Sequence, residues 1–173
     1  MSTILRHLLS ILLLPFVVVI VVPYWLRTIF GAVDHHWTAG SVSGWIAGAA
    51  GILILLIGFS LFAWCVILFA RIGRGTLAPW DPTHNLVANG PYRFVRNPMI
   101  SGVFMMLLGQ ALCWGSWFVG LWACLFFGIN HIYFILSEEP GLEKRFGEPY
   151  RIYKAHVPRW LPRLKPWPDN AAP

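Results

Sequence analysis

GWIAGAAGILILLIGFSLFAWCVILFA, residues 44–70, holds no charged side chain. At ~1.5 Å rise per residue, a helix of this length crosses a ~30 Å hydrocarbon core with some tilt. So long an apolar run predicts lipid, rather than a protein interior, as its solvent. Its first half carries Gly44-x-x-x-Gly48 and Ala47-x-x-x-Gly51, small residues that let a second helix approach closely. That is a packing signal and says nothing about chemistry.

Three more apolar segments flank this one. Residues 8–30 contain Pro15 and Pro23, which membrane helices tolerate when neighbours satisfy the freed backbone groups. Arg6 and His7 precede the run in the manner of a signal peptide. The run is too long for one, however, and no small-residue cleavage site closes it, so it is expected to be a retained helix. Residues 99–114 make a short segment, Trp114-Gly115-Ser116-Trp117 a tight turn, and residues 118–136 the fourth segment. Helices joined so closely are antiparallel neighbours, and tryptophans at the turn suit a membrane interface. The chain is 57% hydrophobic and 12% charged, against about a quarter charged in soluble domains. With 173 residues it has room for one domain. The expected fold is all-α and polytopic, with about four hydrophobic helices and a short C-terminal helical hairpin.

Charge orients the segments. Eleven of the 13 basic residues lie in the 71–98 loop or after residue 137. By the positive-inside rule both regions, and both termini, face the cytoplasm of an inner-membrane-type protein. Loop and tail can then build one cytoplasmic site together. The net charge of +6 reads as attraction to headgroups rather than to nucleic acid, for which no recognised module is present. Cys65, Cys113 and Cys124 are odd in number, lack metal-type spacing and sit in apolar surroundings, which argues against a disulfide framework or a zinc site.

The loop reads RIGRGTLAPWDPTHNLVANGPYRFVRNPMISG, residues 71–102. Its Pro-Trp-Asp-Pro and Asn-Gly-Pro clusters mark turns, and Gly73-x-Gly75 follows no strand, so it is a weak phosphate-loop signal. Tyr92-Arg93-Phe94-Val95-Arg96-Asn97-Pro98 precedes a membrane helix; its plainest reading is an interfacial anchor. Ser137-Glu138-Glu139 puts adjacent carboxylates at an expected helix C-terminus, where the macrodipole disfavours them. A cation should offset them, and Arg93 and Arg96 are the candidates; the ordinary outcome is a structural salt bridge. His131 lies two turns before Glu138 on the same face, a position that serves packing as readily as chemistry.

GPYRFVRNPMISG (90–102) and EEPGLEKRFGEPYRIYKAHVPRWLPR (138–163) resemble the isoprenylcysteine carboxyl methyltransferase and phospholipid N-methyltransferase superfamily. The blocks occur in the family's order over about residues 73–163, and Gly75-Thr76-Leu77-Ala78-Pro79 with the His131 spacing looks like bacterial and archaeal members. The resemblance implies S-adenosylmethionine as cofactor and a hydrophobic or lipid-like acceptor drawn from the bilayer. It implies a cofactor site on Tyr92, Arg93, Arg96, Asn97, Pro98, Gly102, Glu138 and Glu139, with His131 beside it. Asn97 stands where many members have His, and Ile100 where many have Tyr, which sets the chain apart from the prenylcysteine enzymes.

Carboxylates can hold the cofactor's ammonium, and an Arg or Asn can hold its carboxylate, through charge-assisted bonds. Arg96 and Glu139 are the expected catalytic pair, while Tyr150, Tyr153 and Arg159 are expected to close over the cofactor. Two other readings fit the residues: an NADPH-dependent membrane reductase of the sterol and steroid type, and a non-enzymatic membrane module of the same fold. The Glu138-Glu139 pair followed by Phe146-Gly147-x-x-Tyr150 favours methyl transfer.

Overall fold

A computed structural model describes residues 12–31, 33–34, 40–73 and 85–168. The described residues are all-α. A widened turn over Leu12–Val21 runs into α1 (Val22–Phe30), followed by α2 (Val42–Leu68), α3 (Pro98–Trp114), α4 (Trp117–Tyr133), α5 (Glu139–Phe146) and α6 (Glu148–His156). Two compact units divide the chain: Met1–Ser60 with Gly102–Gly128, and Leu61–Ser101 with Ile129–Pro173. The stretch Gly75-Thr76-Leu77-Ala78-Pro79 lies outside the described residues.

Of the four expected segments, two are helices long and apolar enough to cross a membrane, Val42–Gly73 and Trp117–Phe146. The other two are shorter apolar helices, Pro15–Phe30 and Pro98–Trp114. Only 17% and 11% of the apolar windows in the two long helices are buried within the protein. So much apolar surface without protein cover marks a membrane-associated chain.

The first unit is held by closely approaching backbones. A Cβ on Gly109 would lie 2.6 Å from the Gly51 carbonyl oxygen, and one on Gly58 would lie 2.7 Å from that of Gly102. The seam therefore uses residues seven apart on each helix. Gly48 has no neighbour within 4 Å of its Cβ position, but its carbonyl accepts from Cys113 Sγ of α3 at 3.6 Å. Pro23 has no N–H to offer the carbonyls four and five residues back. Gln110 Nε2 donates to one of them, Val19 O, at 2.9 Å, and Trp122 Nε1 to the other, Val18 O, at 3.0 Å. The expected hairpin turn is present, with Gly115 at φ +65°. Ser116 caps α4 by accepting from Val119 N at 3.1 Å, and donates its own proton to the buried Asp34 carboxylate. Asp34 also accepts from Trp117 N at 2.8 Å, a favourable place for negative charge.

In the second unit one expectation is corrected. The helix bearing Glu138 and Glu139 does not end near residue 136. It widens through Phe134–Glu138 and continues as α5. The extra residue in that turn accommodates Pro140, which would clash in a regular α-helix. The two glutamates therefore lie within a helical run, and no C-terminal dipole opposes them. Gly147, at φ +61°, ends α5 and turns the chain into α6.

Candidate active site

Glu139 is the centre of the second unit's polar chemistry. The residue is 4% exposed, and three cations converge on it. Arg159 Nε donates to Oε1 at 2.6 Å, Arg96 Nη1 lies 3.0 Å from the same oxygen, and Lys154 Nζ lies 3.3 Å from Oε2. One buried charge is thus matched against cations from three places in the chain: the turn before α3, helix α6 and the tail beyond it. A buried carboxylate is tolerated only when paired in this way. Arg96 is the partner expected from sequence. Arg93 Nε donates to the Trp167 carbonyl.

The tail is laced to the segment before α3 by backbone bonds. Arg96 N donates to Pro158 O at 2.9 Å, Arg163 N to Phe94 O at 2.9 Å, and Trp167 N to Arg93 O at 3.0 Å. Asn97 Nδ2 reaches Arg159 O at 3.5 Å, a long contact, while its backbone oxygen accepts from Ser101 Oγ at 3.1 Å. Pro98 is buried as the first residue of α3, where a missing N–H costs nothing.

Tyr150 and Tyr153, expected to cover a cofactor, are 2% and 3% exposed and pack with Ala88, Val157 and Trp167. Their rings pack at a tilt, Tyr150 against Tyr153 and Tyr153 against Trp167. Tyr153 Oη donates to Tyr92 O at 2.7 Å, and the Tyr92 ring stacks on Phe69 at 5.6 Å between centroids. Burial pushes the Tyr150 hydroxyl up to about 12, with the Glu139 charge adding to the effect and Arg96 opposing it. Burial likewise raises Tyr153 and Tyr92. These tyrosines build the wall behind the ion cluster.

Glu138 points differently from its neighbour. It is half-buried and accepts from Tyr133 Oη at 3.3 Å. His131 Nδ1 accepts from Trp160 Nε1 at 2.8 Å, and the Trp160 ring meets Phe134 edge-on. Gly102 belongs to the first unit, where its carbonyl faces Gly58.

Sequence reasoning passed over Lys154, Trp160 and Trp167. Two tryptophans in a basic, proline-rich tail were the available signal, since rings of that size need cover.

Arg96 is 10% exposed along its side chain, and its Nε and Nη1 lack hydrogen-bond partners, Nη1 having only the ion-pair approach to Glu139. A buried guanidinium with N–H groups to spare is a place for an anionic group. Within the same unit Glu138 offers a carboxylate to a cation. This donor and acceptor set fits a ligand carrying both a carboxylate and an ammonium.

An all-α, membrane-associated protein with a buried ion cluster is the class these features define. The phospholipid methyltransferase family profile matches residues 46–149. The chain belongs to that family. It is also 32% identical over 98 residues to a phosphatidylethanolamine N-methyltransferase of Zygosaccharomyces rouxii, covering 53% of this chain and 11% of the relative. The chain thus spans only about a tenth of that relative's length. No solved structure matches. The family match takes in Arg96, Glu138 and Glu139, and stops before Lys154, Arg159 and Trp160.

Proposed function

We propose that the protein transfers a methyl group from S-adenosylmethionine to a lipid-like acceptor at the membrane, as the name of its yeast relative suggests for an amine headgroup. The observation that carries the site assignment is the buried Arg96 guanidinium with two N–H groups lacking hydrogen-bond partners. Arg96 holds the cofactor's carboxylate, and Glu138 holds its ammonium. Glu139, with Arg159 and Lys154 on it, fixes Arg96 in place rather than meeting the cofactor. Asn97, Tyr92 and Pro98 shape the turn that presents Arg96.

The cofactor supplies an electrophilic methyl on a sulfonium. The reaction is a displacement, so the protein's part is orientation and exclusion of water. An ammonium acceptor must first lose a proton; a carboxylate or thiolate need not.

Four hydrophobic segments crossing the bilayer, with both termini cytoplasmic, are the arrangement we infer. It is supported by the two long spans, the two shorter apolar helices and the eleven basic residues grouped in loop and tail. The decisive experiment incubates purified protein with methyl-labelled S-adenosylmethionine and total membrane lipid extract, then identifies the labelled product. A labelled lipid is expected. Label confined to water-soluble products, or none with cofactor bound, would overturn the assignment of a lipid-like acceptor.

A further inference from the structure

Leu161 and Leu164 are 80% and 100% exposed, yet they stand on backbone that is firmly held. Pro158 O, Arg163 N and Trp167 N are hydrogen-bonded to Arg96, Phe94 and Arg93, and Trp167 is 3% exposed. A leucine displayed on a fixed arch has no freedom to fold itself away. In water that display is unfavourable, because each side chain keeps its full apolar surface hydrated.

Three observations say what covers it. Trp160, the residue before Leu161, packs its indole on His131 and Phe134. Both of those lie inside the candidate span Trp117–Phe146, so Leu161 starts at the level where that span runs. Arg163 is partly exposed and Lys165 is exposed, which sets cations on either side of Leu164. Apolar prongs flanked by cations match the boundary between acyl chains and lipid phosphates.

We propose that residues 161–166 are a bilayer-seated prong. Leu161 and Leu164 enter the acyl region, while Arg163 and Lys165 meet headgroup phosphates. The arch is tied to Arg93, Phe94 and Arg96, so seating it fixes the height of Arg96 relative to the lipid. The inference rests on membrane association and not on methyl transfer, and its test needs no turnover.

The unmodified protein is placed in nanodiscs of phosphatidylcholine and phosphatidylglycerol containing a phospholipid with a photoactivatable acyl chain. Adducts are then mapped by mass spectrometry. Adducts on 161–166 are expected at a yield comparable to those on the exposed face of 121–136, with none on the exposed residues Glu148 and Arg151 of α6. Labelling of 121–136 with none on 161–166 overturns the proposal, and would turn attention to a protein partner for the arch.

A second arm uses Leu161→Asp/Leu164→Asp, which alters no hydrogen bond in the arch. Cofactor affinity in detergent should be unchanged. Adducts at 161–166 should fall at least tenfold, as expected when an acyl contact worth about a decade in partition per leucine is removed. Undiminished adducts would overturn the role assigned to the leucines.

Discussion

The two compact units are stabilised by opposite means. In the first, helices close on each other because side chains are missing: Gly51, Gly58 and Gly109 leave room only for backbone. In the second, a buried carboxylate gathers Arg96, Lys154 and Arg159. Lipid offers apolar surface everywhere, so apolar burial alone gives helices little reason to associate, and close van der Waals contact does the work. Buried charges, in contrast, are stable only when mutually paired. The difference teaches that one short chain can change the type of contact that holds it from one unit to the next.

The sharpest way to break this comparison is Glu139→Gln. It leaves three cations around a neutral group, and disrupting a buried pair of this kind costs about 3–5 kcal/mol. Thermal unfolding in detergent should shift strongly downward. Hydrogen exchange should rise across 92–98 and 148–167 while the helices of the first unit keep their protection. Uniform loss over both units would mean that the stabilisation is shared rather than divided.

Glu138→Gln should behave in the reverse manner. Calorimetry should record cofactor binding weakened by about 1.5–3 kcal/mol, the range for one charge-assisted bond, with the melting temperature unchanged. Unaltered affinity would remove Glu138 from the cofactor shell.

Gly109→Ala probes the other unit. Its Cβ would sit 2.6 Å from the Gly51 oxygen and 2.8 Å from Leu55 Cβ, so the helices must separate, at about 1–3 kcal/mol. Stability should fall while cofactor affinity is retained. A loss of affinity as large as that of Glu138→Gln would merge the two roles.

Alkali gives the gentlest discrimination. Tyr92, Tyr150 and Tyr153 have folded pKa values raised by burial, Tyr150 to about 12. The unfolded chain loses those protons near 10, so the native state binds more protons above that pH. Their contribution is intact below pH 10 and declines as pH rises toward about 12. All three tyrosines belong to the second unit. Hydrogen exchange at about pH 11 should therefore open that unit first, with tyrosinate absorbance rising in step. Simultaneous opening of both units would contradict the assignment.

Much of this was legible beforehand, for local reasons. The turn at Gly115 follows from a short Gly-Ser link between apolar runs, and the service given to Pro23 follows from its missing N–H. Arg96 facing the glutamate pair follows from charge balance at the end of an apolar helix. The helix continuing past residue 136 was not legible, because Pro140 and two acids read locally as a stop, while a widened turn absorbs them. Gly51, the end of the second small-residue motif, lies in the seam, but its partner along the helix is Gly58, because a spacing of four is a general signal and the observed spacing of seven depends on the partner helix. Tyr150 and Tyr153 were read as cover for a ligand. The structure shows them packed with Trp167, a contact that the local sequence does not announce.

The lacing between 93–96 and 158–167 also sets a timetable. Arg93 and its partner Trp167 are 74 residues apart in sequence. At about 5–20 residues per second of synthesis, roughly 4–15 s pass after Arg93 is made before Trp167 exists. Throughout that interval the nascent chain has Arg93, Phe94 and Arg96 without the backbone partners that will hold them, and Glu139 emerges before Lys154 and Arg159 do. The charged cluster is therefore completed only after the apolar spans that precede the tail have been made and are available to the bilayer.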